Sequence, residues 1–395
     1  MNRQVKLITT SIFTISIVCL LSLSGARSQG AAKFGDPLPG LTAEQMKLFL
    51  EGKEDFVSIE EPEDGLGPLF NARGCGECHA MPAVGGSSTA KEVRAGRVDP
   101  DGTYYDLPGG SLYQIFSISA ECQEVIPSEA NVIAFREVQP LFGLGLIEAI
   151  PDETILAAAD PDDDDHDGIS GRAAIVFDPA SKSMRVGRFG WKDQQASLLA
   201  FSGDAYTNEM SITNDIAPTE NAPNGDETRM ASCDQLADPE STADPVTGRR
   251  AIDNFTNFMR FLGPPPRGPM TEAVRRGDAV FNSIGCAKCH TPTMQTGPSS
   301  IAALDRKIVP LYSDLLLHNI GTGDGIPQAD AGKDQIRTPP LWGLRASRPF
   351  LHDGSAGTLE RAILRHGGEA TLVTLRFTLL RSSQRDDLLA FLESL

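Results

Sequence analysis

At 395 residues and a formal charge of −18, the chain is long enough for two or three domains that each bury a core, and too acidic to favour nucleic acid or an anionic lipid surface. A basic partner or a small neutral substrate suits that charge better. Aromatics make up only 6% against 38 glycines and 27 prolines, which predicts a loop-rich fold.

The N-terminus reads as an export signal. Arg3 and Lys6 precede an apolar run from Leu7 to Leu23, and Ser24-Gly25-Ala26 follows, the order of charge, apolar core and small residues that a signal peptidase cuts. Cleavage near Ala26 would leave a periplasmic chain with no membrane span. A retained anchor is the rival reading, because a run of about 17 residues reaches the lower limit for a span.

Two pentapeptides organise the rest: Cys75-Gly76-Glu77-Cys78-His79 and Cys286-Ala287-Lys288-Cys289-His290. Two cysteines three positions apart can each form a thioether to one haem, with the next histidine as axial ligand. A zinc half-site competes for one such motif. Two of them behind an export signal, in a chain with only six histidines, favour two covalently bound haem c groups. Apart from Cys19 in the signal, Cys122 and Cys233 are left over, and in an oxidising compartment such a pair is expected to form a disulfide. A reactive dithiol is the alternative.

In the middle of the chain, Asp163, Asp165 and Asp167 alternate ahead of Gly168. Alternate oxygens before a glycine turn make the first half of an EF-hand-like calcium loop. The closing glutamate is missing, since that position is Ala174, so a solvated acidic loop competes with calcium. Ala173 to Phe177 has weak strand character. Trp191 and Trp342 are the two tryptophans, and by type alone either suits a core better than an electron relay. Residues 216–248 read as a surface excursion pinned by Cys233, and 262–268 as a stiff linker at a domain boundary.

Beyond the linker, a helix from Thr271 to Phe281 leads into the second motif. A final helix from Gln384 to Leu395 carries Leu388, Phe391, Leu392 and Leu395 on one stripe, behind a capping box of Ser383 and Asp386. His318, His352 and His366 are the histidines left there. His366 shares a helical face with Leu359, Ala362 and Ile363, ahead of Gly367-Gly368. An imidazole on an apolar face is either a satisfied core histidine or, beside a haem, a ligand.

Arg337-Thr338-Pro339-Pro340-Leu341-Trp342-Gly343-Leu344-Arg345 and Pro349-Phe350-Leu351-His352-Asp353-Gly354, with the two haem motifs, resemble the bacterial di-haem cytochrome c peroxidases. That superfamily includes the di-haem enzyme that matures methylamine dehydrogenase. The closer resemblance is to its di-haem oxidoreductase branch, often labelled thiol oxidoreductases, through Gly35 to Leu41, Phe142 to Asp152 and Gly168 to Arg172.

The resemblance implies roles. The first haem, on Cys75, Cys78 and His79, would react with peroxide, and the second, on Cys286, Cys289 and His290, would exchange electrons. Trp191 looks like the inter-haem tryptophan and Glu209 like the distal glutamate that moves protons, while the distal glutamine position reads Phe201. The second haem's distal methionine position is His366, implying a bis-histidine, lower-potential haem. The switchable distal histidine of the first haem has no counterpart between Met81 and Ser111, so an open or water-bound iron is preferred over ligation by Met210 or Met184. His318 and His352 would be structural or lie near the haem propionates.

The expected fold class is mainly α: two cytochrome c-like haem domains with loop-rich insertions and a minor β portion. Residues 1–26 form the signal peptide, 31–262 the first domain and 269–395 the second. The expected function is a periplasmic di-haem c-type cytochrome oxidoreductase that reduces hydrogen peroxide at the first haem and works with a small redox electron donor or acceptor protein. The alternative is a non-catalytic electron-transfer cytochrome with both haems six-coordinate.

Overall fold

The computed structural model describes residues 31–234, 238 and 242–395; the expected signal peptide, residues 1–26, lies outside them. Residues 33–395 form one compact unit. Among the described residues no helix is long and apolar enough to cross a membrane. The fold is mixed rather than mainly helical, with 31% helix and 14% strand.

That correction has a local cause. Strand Lys91–Val98 pairs antiparallel with Val132–Glu137 and with two short strands, Tyr104–Tyr105 and Leu112–Tyr113. On this sheet Arg94, Arg136 and Glu137 are buried, while Ile133 and Phe135 are exposed. The usual apolar-in, polar-out alternation is therefore inverted, and a period-two signal weighted by hydrophobicity misses it. Ile175–Asp178 does form a strand, paired with Ser183–Val186.

The first core is helical. Ala43–Phe56 starts at a capping box in which Thr42 and Gln45 exchange hydrogen bonds, and it packs along Ala251–Phe261 with Phe56 and Phe258 rings 4.7 Å apart. Leu198–Met210, capped by Ser197, lies against Ala251–Phe261. A fully buried phenylalanine contributes roughly 1.5–3 kcal/mol by leaving water, so Phe258 with Phe49 and Phe56 anchors this layer.

The second core is built on two crossing helices, Glu272–Ile284 and Ser382–Leu392. Their backbones meet at Gly277, where a Cβ would lie 2.0 Å from the Asp387 carbonyl oxygen, so only glycine permits the crossing. Phe281 and Phe391 sit 5.1 Å apart beside it. The final helix begins earlier than expected. Its cap is Arg381, whose backbone N–H donates to Gln384 Oε1 at 3.1 Å, instead of a Ser383–Asp386 box.

The two cores do not divide cleanly at the linker. Met294, Leu304, Val309, Leu311, Leu315 and Leu316 follow the second haem motif yet pack into the first core. Cys122 and Cys233, both buried, are joined across 111 positions with Cα atoms 5.8 Å apart.

Candidate haem sites and the segment between them

Both motifs present two thiols and one imidazole from a single tight turn. Cys75–Cys78 is one helical turn in which His79 N–H donates to the Cys75 carbonyl at 3.0 Å. Cys286–Lys288 repeats this as a 3-10 turn, with His290 N–H donating to Cys286 at 3.0 Å. All four thiols are free.

The imidazoles are prepared as ligands. His79 Nδ1 lies 3.0 Å from the Gly86 carbonyl and His290 Nδ1 lies 3.2 Å from the Tyr312 carbonyl. A carbonyl can only accept, so each Nδ1 carries the proton and each Nε2 keeps a lone pair for a metal. Burial lowers His79 to about 4 and His290 to about 3, which keeps both in the neutral, metal-binding form. The loop that aims the Gly86 carbonyl is closed by reciprocal backbone bonds between Met81 and Ser87 at 2.8 and 2.7 Å. A Cβ at Gly86 would lie 1.9 Å from the Met81 oxygen, so that position needs glycine.

At the second site His366 faces His290, with ring centroids 6.5 Å apart. Two imidazoles bound to one metal at about 2.0–2.1 Å per bond place their centroids roughly 6–6.5 Å apart. His366 Nδ1 donates to the Ala362 carbonyl at 2.7 Å, again leaving Nε2 free. Its backbone carbonyl accepts from Thr374 Oγ1 at 2.6 Å. The expected helix reaches only Leu364, with Arg365 as its cap, so His366 sits just past the last turn. Around the two rings run Phe281, Ile363, Val373, Leu388 and Leu392, lining a cavity that also takes in Cys286 and Cys289. Apolar walls, two thiols and two opposed neutral imidazoles fit a covalently attached haem.

The first site is built differently. Phe56 lies 6.0 Å from the His79 ring. Burial raises both Cys75 and Cys78, and carboxylate charge adds to it, from Glu60 and more weakly Glu209 at Cys75 and from Glu209 at Cys78. Asn71 Nδ2 donates to Glu209 Oε2 at 2.8 Å, and Asn71 N–H donates to the Glu209 carbonyl at 2.8 Å. Burial, then the like charge of Glu92, raises Glu209 to about 7. Burial also raises Asp204, on the same helix, to about 6, against hydrogen bonds from Gln195 and Asn208. Arg94 pairs with Glu92 beside this group. Phe201 stacks on Phe189 at 6.1 Å, so the position expected of a distal glutamine is apolar wall. Met184 is exposed on a hairpin strand and Met210 is buried in the first core, so Met184 is no ligand.

Trp191 lines the same cavity that holds the second site, which extends past Phe189 and Phe201 to Met81 and Ser87 beyond the first motif. Its indole N–H donates to the Glu137 carbonyl at 2.8 Å, its carbonyl accepts from Arg337 N–H at 2.9 Å, and His352 meets its ring edge-on at 6.1 Å. The next residue, Lys192, is fully buried. Its ammonium donates to the carbonyls of Gly332, Lys333 and Gln335 at 3.1, 3.2 and 2.7 Å and pairs with Asp324 at 3.2 Å. Asp193 in turn pairs with Arg337 at 3.2 Å.

His318 is placed against the second motif, 3.8 Å from Cys289 Sγ. Burial opposes its charge, but hydrogen bonds with Asp314 at 2.9 Å and Glu369 at 2.7 Å outweigh that and push it up to about 12. Cys289, Asp314 and His318 converge closely enough to hold an ion, yet both ring nitrogens of His318 are already committed to carboxylates.

In the acidic loop the expected triad is only partly assembled. Asp160, Asp163 and Asp165 bring their carboxylates within 4.8 Å of one another, whereas Asp167 turns away to an ion pair with Lys288 inside the second haem motif. Alternation alone could not anticipate that competing cation. Lys192, Asn71, Asp204, Gln195 and Arg94 were also missed. The one local signal for Lys192 was a charged residue directly after a scarce tryptophan.

The family model described as di-haem oxidoreductase, putative peroxidase, matches residues 117–395. Methylamine utilization protein MauG of Methylorubrum extorquens is 34% identical over an alignment of 174 positions that covers 38% of this chain and 45% of that protein. Hydrazine synthase subunit gamma of Kuenenia stuttgartiensis is 25% identical over an alignment of 214 positions that covers 41% of this chain and 57% of that protein. The chain thus spans about half the length of these relatives. Among solved structures, the diheme peroxidase BthA from Burkholderia thailandensis aligns with a TM-score of 0.42 and 15% identity, over 93% of this chain and 90% of that one.

Proposed function

The chain belongs to the di-haem oxidoreductase family, and from that premise we propose that it is an exported, periplasmic c-type cytochrome that exchanges electrons at its second haem and reduces hydrogen peroxide at its first. The asymmetry of the two sites carries this reading. His290 and His366 face each other at the spacing of an axial pair, while the thiols of the first motif, Cys75 and Cys78, feel the charge of Glu209, a carboxyl raised to about 7.

When bound, haem supplies an iron that changes oxidation state and, where one axial position is open, a place for peroxide. Reducing one hydrogen peroxide to two waters consumes two protons and two electrons. Glu209 is the group suited to pass a proton between the two oxygens, because it titrates close to neutral pH and Asn71 fixes its orientation. Trp191, held at its indole nitrogen and its carbonyl, is the aromatic group suited to couple the two sites. The acidic loop is a candidate calcium site through Asp160, Asp163 and Asp165, and calcium binding that survives Asp163→Asn would remove it.

Low-temperature electron paramagnetic resonance on the ferric holoprotein tests the core of this reading. One high-spin and one low-spin haem are expected, with the low-spin signal altered in His366→Ala. An unchanged low-spin signal in that variant overturns the bis-histidine assignment. The second reading, an electron carrier, draws on Met210, which follows Glu209 and is buried. Two low-spin haems that stay low-spin on reduction would establish it.

A further inference from the structure

The wall of the second site is thin on one side. Helix Leu359–Leu364 and helix Thr371–Thr378 pack together there, with Thr374 Oγ1 bonded to the Ile363 and His366 carbonyls. Their inner residues Ala362, Ile363, Val373 and Thr374 line the cavity. Their outer residues are leucines in water: Leu364 is 47% exposed, Leu372 49%, Leu375 54% and Leu379 76%. Leu372, Leu375 and Leu379 recur at helical spacing, so they form one stripe. Scattered exposed leucines mean little, but a contiguous stripe marks a surface that another molecule covers.

Charge identifies the occupant. Arg361, Arg365, Arg376 and Arg381 are exposed on these helices and at their ends. The acidic groups of the same stretch are engaged, Glu360 with Arg385 at 3.4 Å and Glu369 turned inward to His318 at 2.7 Å. In a chain of formal charge −18, this face is locally positive. We propose that it docks a small acidic electron-transfer protein, one whose redox centre is bordered by apolar side chains and a ring of carboxylates, and that the second haem exchanges electrons with it there. The inference rests on the second haem's role in the proposed function.

The local field reverses what net charge alone suggests, a basic partner. Charge around an apolar contact governs which carrier is steered in and how fast, while a small apolar centre with few hydrogen bonds lets it leave again. A second copy of this chain fits worse, since a two-fold contact would set arginine against arginine.

The test is stopped-flow reduction of the holoprotein by a reduced acidic plant-type ferredoxin, with dithionite as the small-molecule control. The second-order rate constant is expected to fall roughly tenfold as salt rises from about 10 to about 500 mM. It should fall by a similar factor in Arg361→Glu/Arg381→Glu at low salt, and in Leu375→Asp at every salt concentration. Reduction by dithionite and the low-spin resonance should not change in either variant. A rate that rises with salt, variants that react like wild type, or a ferredoxin with amidated carboxylates that reacts equally fast would each overturn the docking surface. So would a concentration-dependent dimer abolished by Leu375→Asp. Failure of dithionite to reduce the second haem would defeat the electron-exchange role itself, and the docking inference with it.

Discussion

Glu209 concentrates the chemistry of the first site in one titration. Its carboxyl is raised from 4.5 to about 7 by burial and by Glu92. Acting as a base toward peroxide requires the carboxylate, so kcat/KM for peroxide should rise with pH through about 7. Glu209→Gln keeps an oxygen for Asn71 but cannot take the proton; its rate should be flat across that range and lower by about 10²–10⁴-fold. Stability should move the other way. Between 4.5 and about 7 the native state holds a proton that the unfolded chain has released, so folding stability falls as pH rises through that window. Below it both states are protonated and nothing is lost; above it the cost is complete, at most about 3 kcal/mol. The glutamine variant should therefore match wild type in denaturant at about pH 4 and exceed it at about pH 8. A variant that lost stability at both would mean that Glu209 is a structural residue.

The segment Gly190 to Asp193 shows how an element is fixed by charges buried on purpose. Lys192 is lowered to about 8 by burial, against the attraction of Asp324, and four oxygens from a loop some 140 positions later surround its ammonium. Without the ammonium, Asp324 keeps Arg136 at 2.7 Å and the Lys333 carbonyl keeps the Gly325 N–H at 3.2 Å, while the Gly332 and Gln335 carbonyls lose this donor, so Lys192→Met should cost about 1–3 kcal/mol, measured by denaturant unfolding of the holoprotein. A loss under about 1 kcal/mol would show that the cage does not hold the segment. Beyond its place after a scarce tryptophan, Lys192 gave no sign of this in the chain, because such a lysine reads as a solvated charge until its distant carbonyls are known. What was legible was whatever the sequence carries locally: the two Cys-x-x-Cys-His turns and the short apolar helix Leu359–Leu364, just past whose end His366 sits opposite His290. The inward charges of the Lys91–Val98 sheet and the diversion of Asp167 to Lys288 depend on long-range partners, and spacing rules contain no term for them.

On the scale of the whole molecule, two features resist separation into independent haem units. The Cys122–Cys233 link spans 111 positions, and by chain entropy alone its removal in Cys122→Ser/Cys233→Ser should cost about 4–5 kcal/mol. Resting haem spectra should stay unchanged, since neither cysteine belongs to a haem turn. The second feature is the crossing of Met294 to Leu316 into the first core. Cut at the linker, residues 269–395 would keep Cys286, Cys289, His290 and His366 but expose Met294, Leu304, Val309, Leu311, Leu315 and Leu316. At roughly 1.5–3 kcal/mol for each buried side chain, that loss is on the order of 10 kcal/mol, as large as the whole stability of a typical domain. The fragment should therefore unfold without a cooperative transition and fail to bring His366 onto the iron, leaving a mixed or high-spin spectrum. A sharp transition together with a clean bis-histidine signal would show instead that the second core stands alone, and that the crossing segment serves the first haem's half of the molecule.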